Sequence, residues 1–232
     1  MTRFAGTLAA KKPVAIRAIT EDVRSYTFAG SLFVPKRMSD GRFPLIDVWH
    51  FADRTYIVPF SKKMERPKGY IGWADLLGPS PDSALLGGRK LARVHTSHAV
   101  EPQGFGFGFV LYAAAALAAM TRTSFWGVFS PDDTSVADRR SRDADAVWDR
   151  LKTIPFRGTP LAHRHKLKAT PDDIDGSTFD FVGDVLTGAA VLNSGLVVRI
   201  GRTTKQGLSF TPPPNEAQRA FAYDVKYVIK KR

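Results

Sequence analysis

Apolar positions along the chain recur with two different periods, and these divide it into elements. IDVWHF (46–51) and TYIVPF (55–60) alternate apolar and polar positions on either side of Ala-Asp-Arg, which predicts a hairpin with a short turn. YIGWADLL (70–77) and RKLARVHTSHAV (89–100) read as further strands. The second would place Leu91, Arg93, His95 and Ser97 on one face and Ala92, Val94, Thr96 and His98 on the other. SFWGVF (124–129), AHRHKLKA (162–169) and GLVVRIG (195–201) complete the strand expectations. Helical spacing appears at 14–29, where Thr20 is placed as N-cap ahead of Val23, Tyr26 and Thr27. It appears again at 109–120, apolar on every side and so expected to be buried. In 141–152, Ala144, Val147, Trp148 and Leu151 make one apolar stripe. A helix start is expected at Thr170 or Ser177 within 170–186, and SPDDTS (130–135) is a helix-start cluster. Segments 30–44, 61–69 and 78–88 are broken by Gly, Pro and Ser and read as loops. Beyond the prolines at 212–214, the pattern fits either a strand or a helix.

Strands and helices alternate without an internal repeat or a clear linker, which predicts one α/β domain over 14–201. Residues 1–13 would form an N-terminal arm and 202–232 a basic C-terminal extension packed on the domain.

Composition narrows the function classes. With 232 residues, 44% of them hydrophobic, the chain can bury one sizeable core, and 16 Phe and 4 Trp argue against disorder. It has no cysteine, which excludes disulfides, thiolate metal sites and Cys nucleophiles. The N-terminal apolar stretch is too short for a signal peptide, and no run of about 18 apolar residues occurs; a soluble, cytoplasmic protein without membrane contact is expected. The net charge of +12 suggests a polyanionic partner, either nucleic acid or an anionic cofactor, although only KYVIKKR at the end is a cluster.

The stretch with chemical content is VEPQGFGFGF (100–109): three glycines at 104, 106 and 108 between a strand and an apolar helix. A strand, a Gly-rich turn and a helix N-terminus together offer backbone N–H groups to a phosphate. The Rossmann spacing fails for want of a third glycine in register, and no Gly-Lys-Ser/Thr of a P-loop follows. The rival reading of G-F-G-F-G is an alternating structural strand. Gln103-Gly104-Phe105-Gly106-Phe107-Gly108, with Val100 and Pro102 ahead and Leu111 behind, resembles the pyrophosphate loop of the GNAT superfamily of N-acetyltransferases. The order of strands before the turn, the strand at 124–129 and the helix carrying Trp148 extend that resemblance over roughly 14–201. It implies a mixed, mostly antiparallel twisted sheet flanked by helices, with two parallel strands splayed around acetyl-CoA.

The resemblance also implies direct transfer of an acetyl group from acetyl-CoA, a co-substrate, to a primary amine of unknown class. The cofactor-binding residues would be Ala99, Val100, Gln103, Gly104, Phe105, Gly106, Phe107 and Gly108, with backbone N–H at Ala99 and Val100 as the oxyanion donor. His98, His95 and Glu101 are the candidate bases; an unperturbed His pKa near 6.5 suits that role. The family's thiolate acid is commonly a Tyr on the later helix. That helix here has Trp148 and no Tyr, so Ser130, Ser135 and Ser141, with Ser141 foremost, or water become the candidates. His50 and Asp47 lie on an earlier strand that could line the acceptor side. His163 and His165 share a strand face but have no obvious third metal ligand, so no metal site is expected. Asp132 and Asp133 read as helix caps and Trp148 as core. The competing reading is a non-catalytic basic protein of the same fold, either binding nucleic acid or serving in an assembly such as a phage particle. In that case it would be found in the host cytoplasm or the virion. An oligomer is compatible with either reading.

Overall fold

An apolar helix runs through the middle of the molecule, with strands packed around it. The computed structural model describes residues 16–20, 25–34, 45–63, 65–76, 83–99, 107–131, 140–156, 158–169, 178–204 and 207–211, with side chains described as far as Gly201. In chain order the strands are β1 (Arg17–Ala18), β2 (Thr27–Phe33), β3 (Leu45–Phe51), β4 (Arg54–Pro59), β5 (Gly69–Tyr70), β6 (Gly72–Leu76), β7 (Ser83–Leu86) and β8 (Arg89–Ala99). Helix α1 (Phe107–Arg122), β9 (Gly127–Pro131), α2 (Arg142–Thr153), β10 (Ala162–Ala169), β11 (Asp180–Thr187), α3 (Gly188–Asn193), β12 (Val197–Thr204) and β13 (Gly207–Thr211) follow. The fold is α/β, with a large, mostly antiparallel sheet and few helices. Among the described residues no helix is long and apolar enough to cross a membrane.

The main sheet runs β13-β12-β2-β3-β4-β6-β8-β7-β10-β11-β9, and β9 returns to pair with β8. That return is the one parallel pairing; the others are antiparallel. Strands β8, β7, β10, β11 and β9 therefore close a ring. Each of the five contributes to one cluster: Ala84, Leu91, Phe129, Leu167, Ala169, Phe181 and Val185. The larger core surrounds α1, whose Phe107 and Phe109 to Ala119 are all buried. Its neighbours include Ala29 and Leu32 of β2, Val48 of β3, Ile57 of β4, Val94 of β8 and Trp148 of α2. A third cluster (Tyr26, Phe28, Trp49, Tyr56 and Val58) covers the opposite face of β2, β3 and β4.

Two features pin β12 to this sheet. At Gly30 a Cβ would stand 2.6 Å from the Arg199 carbonyl oxygen, so glycine allows the two backbones to approach there. Arg199 is buried beside them; its Nη2 lies 2.9 Å from Asp47 Oδ1 and its Nε donates to Ser31 Oγ at 2.6 Å. Burial raises the Asp47 pKa, against the pull of the Arg199 charge and the hydrogen bonds from Ser31 and the Ser61 N–H. The network ties three strands together.

Several sequence expectations hold. The β3–β4 hairpin forms with Phe51 opposite Arg54. The 109–120 helix is α1, longer by a few residues, and the 141–152 helix is α2. AHRHKLKA is β10. Four expectations are corrected. The proposed helix at 14–29 is absent among the described residues: Arg17–Ala18 and Thr27–Phe33 are strands, and β2 is buried on both faces, with Tyr26 and Phe28 in one core and, past an irregularity between Phe28 and Gly30, Ala29 and Leu32 in the other. Strand β2 also occupies the start of the expected loop at 30–44. Within the expected loop at 78–88, Ser83–Leu86 is β7, turned into β8 by Gly87 and Gly88, both at positive φ. The end of 170–186 is strand β11 and not a helix; Phe181 and Val185 alternate into the ring interior while Asp184 and Leu186 face α2 and α1. The segments 1–13, 170–177 and 212–232 lie outside the described residues, and β12 and β13 carry the sheet past 201.

Candidate functional site

Strands β8 and β9 run in the same direction but touch over a short length. They pair at Ala92–Val128 and Arg93–Phe129. Beyond those positions β8 pairs with β6 as far as Ala99, and β9 pairs with β11 as far as Pro131. Among the described residues no further pairing joins the two. In open α/β sheets, ligands are taken at the C-terminal ends of parallel strands that part in this way. Helix α1 packs against both strands, and its first turn, with Phe107 buried, follows the glycine turn.

A β-bulge decides which β8 side chains face α1. Leu76 lies opposite Val94 but Asp75 lies opposite Thr96, so His95 is the extra residue. The strict alternation expected for 89–100 is therefore broken. Past the bulge Ser97 lies opposite Ala74, a residue of the α1 core, while His98 lies opposite Trp73 on the other face.

From Ser97 a line of side chains crosses from β8 to the end of β9. Ser97 Oγ is 3.2 Å from Tyr112 Oη of α1. The Tyr112 ring meets Trp148 of α2 edge-on at 5.1 Å. The Arg140 guanidinium lies 5.4 Å from the Trp148 ring. Arg140 then donates to the last two carbonyls of β9, Ser130 O at 2.7 Å and Pro131 O at 2.9 Å. It also donates to Asp184 Oδ2 of β11 at 2.6 Å. Lys152 reaches the same oxygen at 3.1 Å, and Asp149 at 3.1 Å. Burial alone would lower Lys152; hydrogen bonds to Asp184 and Asp149 outweigh it and raise its pKa. Burial pushes the Tyr112 hydroxyl up, against its hydrogen bond to Ser97, the Arg140 charge and the Trp148 N–H, so it stays protonated at neutral pH.

The expected site residues that are described lie on several elements. Ala99 ends β8, half-buried against the α1 core. Phe107 and Gly108 form the first turn of α1, where a Cβ on Gly108 would stand 3.1 Å from Val147 Cγ2 of α2. His95 is exposed at the bulge. His98 is half-buried with its ring 6.1 Å from Trp73, and among the described residues its buried Nε2 has no hydrogen-bond partner. Ser141 caps α2, accepting from the Ala144 N–H at 3.2 Å. Val100, Glu101, Gln103, Gly104, Phe105 and Gly106 lie outside the described residues, as do Asp132, Asp133 and Ser135. His50 is buried, with Nδ1 3.2 Å from Thr55 Oγ1, and Asp47 is engaged by Arg199. His163 and His165 hold their rings 6.4 Å apart on β10, and no group of three metal-ligand residues occurs among the described residues. Trp148 is core, as its helical spacing implies.

The residue that sequence reasoning missed is Tyr112. Its signal was present, since it is the sole hydroxyl within the apolar run FVLYAAAALAAM, and a buried Tyr needs a partner for its O–H. Comparison with models of known families, with curated proteins and with solved structures finds no match to this chain.

Proposed function

We propose that the chain is an acyltransferase of the GNAT type, which binds acetyl-CoA between β8 and β9 and passes its acetyl group to a primary amine. The observation that carries this reading is the parting of two parallel strands after Ala92–Val128 and Arg93–Phe129, with a glycine-rich stretch of sequence between β8 and α1. The cleft is of the kind that the turn's resemblance implies, and a helix N-terminus beside it suits a pyrophosphate. The +12 charge favours an anionic ligand as well. The resemblance implies a hydroxyl on the helix after 141; in this reading α1 carries one instead, Tyr112, whose ring meets Trp148 edge-on. The order of events is direct. The amine attacks the thioester carbonyl, an oxyanion forms and collapses, and CoA leaves as a thiolate that takes up a proton.

The test is thermal unfolding with acetyl-CoA. At about 100 times Kd the ligand should stabilise the fold by about 2.7 kcal/mol. Gly106→Val should remove that shift while leaving the unliganded melting temperature near wild type, because the side chain would occupy the place of the phosphate. An unchanged melting curve of the wild type in millimolar acetyl-CoA would refute the reading. The basic surface would then be the better guide, and a salt-dependent gel shift with nucleic acid the next measurement.

A further inference from the structure

Strand β10 carries a row of cations that neither neighbouring core uses. Its Leu167 and Ala169 enter the ring interior, while Ala162, on its other face, joins the α1 core. Alternation therefore sets Arg164, Lys166 and Lys168 on the outer face of the ring, and all three are exposed. Register extends the row sideways. Lys168 lies opposite Leu85 of β7, and Leu85 lies opposite Lys90 of β8. Lys90 is exposed too, on the face of Ala92 and Val94. Alternate residues of one strand stand about 6.8 Å apart, and strands two places apart are separated by about 10 Å. The cations thus occupy fixed steps on one surface. Two acids of β11 share that face. Asp184, opposite Arg164, is buried and held by Arg140 and Lys152. Asp180, opposite Lys168, reaches Lys166 Nζ at 3.2 Å, but these two side chains are 55% and 75% exposed, so water and salt screen the pair.

We propose that this face binds the phosphate backbone of a nucleic acid, with one strand running along β10 past Lys168, Lys166 and Arg164 and with Lys90 beside it. Steps of about 6.8 Å between cations are comparable with the separation of successive phosphates along a nucleic-acid strand. An acidic protein surface presents no such regular steps. The net charge of +12 supplies the long-range attraction that a polyanion needs. No outward position of β7, β10 or β11 is aromatic, so bases find nothing to stack on and the contact is to phosphates. Binding is then indifferent to base sequence and strongly dependent on salt. This assignment is independent of the acyl-CoA reading, because β10 is neither of the two strands that part.

Fluorescence anisotropy with a labelled single-stranded oligonucleotide and with its duplex, from about 50 to about 200 mM salt, is the experiment. Contacts to about four phosphates predict that log K falls against log salt with a slope of about −2.8 for the single strand or about −3.6 for the duplex. That is a weakening of about 50-fold or about 150-fold over the range, and the tighter binder identifies the form recognised. The variant Arg164→Gln/Lys166→Gln/Lys168→Gln should bind at least about tenfold more weakly at the lowest salt, with a slope shallower by about 2–3. Lys62→Gln/Lys63→Gln/Arg66→Gln removes as much charge from the exposed β4–β5 connection and should leave the slope near that of wild type. Asp180→Asn, which takes an exposed acid off the face, should tighten binding about two- to threefold, a gain that misfolding cannot imitate. Equal losses in the two triple variants would mean attraction by net charge alone and would overturn the assignment. So would no binding by wild type at the lowest salt, or no gain from Asp180→Asn. Displacement of the oligonucleotide by poly-glutamate at equal charge concentration would also overturn it, in favour of an acidic protein partner.

Discussion

His50 shows how a single buried group sets the response of the fold to pH. It lies on β3 at 6% exposure, and burial lowers its pKa below the ordinary 6.5, with a smaller opposing pull from Asp53. The unfolded chain therefore binds the His50 proton at a higher pH than the folded chain does. Between the two pKa values the unfolded state holds more protons, so this group makes stability fall as pH drops below 6.5 toward the folded pKa, and it contributes nothing further below that. The slope it adds is at most about 1.4 kcal/mol per pH unit. Urea unfolding of wild type and His50→Gln between pH 7.5 and 5 checks this, since the difference between the two should shrink as pH falls. Parallel curves would mean that His50 is not the titrating group. Asp184 is another residue whose surroundings matter more than its type. Its Oδ2 takes both Arg140 and Lys152, while among the described residues its buried Oδ1 has no partner, which ties Arg140, just ahead of the cap of α2, and α2 itself to β11.

Among the elements, the contact between α1 and α2 is sensitive to side-chain size. Gly108 lies in the first turn of α1 with Val147 of α2 close enough that an added Cβ would already be tight, at 3.1 Å. Gly108→Leu should displace α2 and with it Trp148 and Lys152. A destabilisation of about 1–3 kcal/mol is expected from overpacking, measured as a lower melting temperature. Acetyl-CoA binding should weaken in the same variant, and a melting temperature equal to wild type would show that the two helices are not held at this point. The same glycine illustrates what the sequence disclosed. Its place between a strand and a helix was readable from spacing, but its neighbour 39 positions further on was not, because tertiary contact leaves no local pattern. The long, uniformly apolar α1 and the capped stripe of α2 were readable for the opposite reason: each satisfies its own period over many residues. Strand β11 was misread because PDD and DGST ahead of it are helix-start signals, whereas its pairing with β9 and β10 overrides them. At the candidate site, the bulge at His95 was invisible to strict alternation, and it moved Ser97 rather than His98 to the helix side.

For the molecule as a whole, distant parts of the chain must meet before the sheet is complete. Gly30 of β2 pairs with Ile200 of β12, and Asp47 of β3 is held by Arg199. A chain ending at Ser194 would leave the buried Asp47 without its cation and open the core beside Leu32. Removing one partner of a buried ion pair costs about 3–5 kcal/mol, a large share of a total stability of roughly 5–15 kcal/mol. That truncated chain should show no cooperative unfolding transition by near-ultraviolet circular dichroism; a sharp melt like that of the full chain would show that β12 is dispensable.

The pairing of β2 with β12 also has a consequence in time. A ribosome delivers β2 well before β12, so the outer edge of β2 stays open until the stretch between Gly30 and Ile200 has been made. Exposed edges of this kind invite pairing with other chains. The sheet therefore stays incomplete until β12 emerges, and the nascent chain, rather than the finished one, is the form most in need of a chaperone.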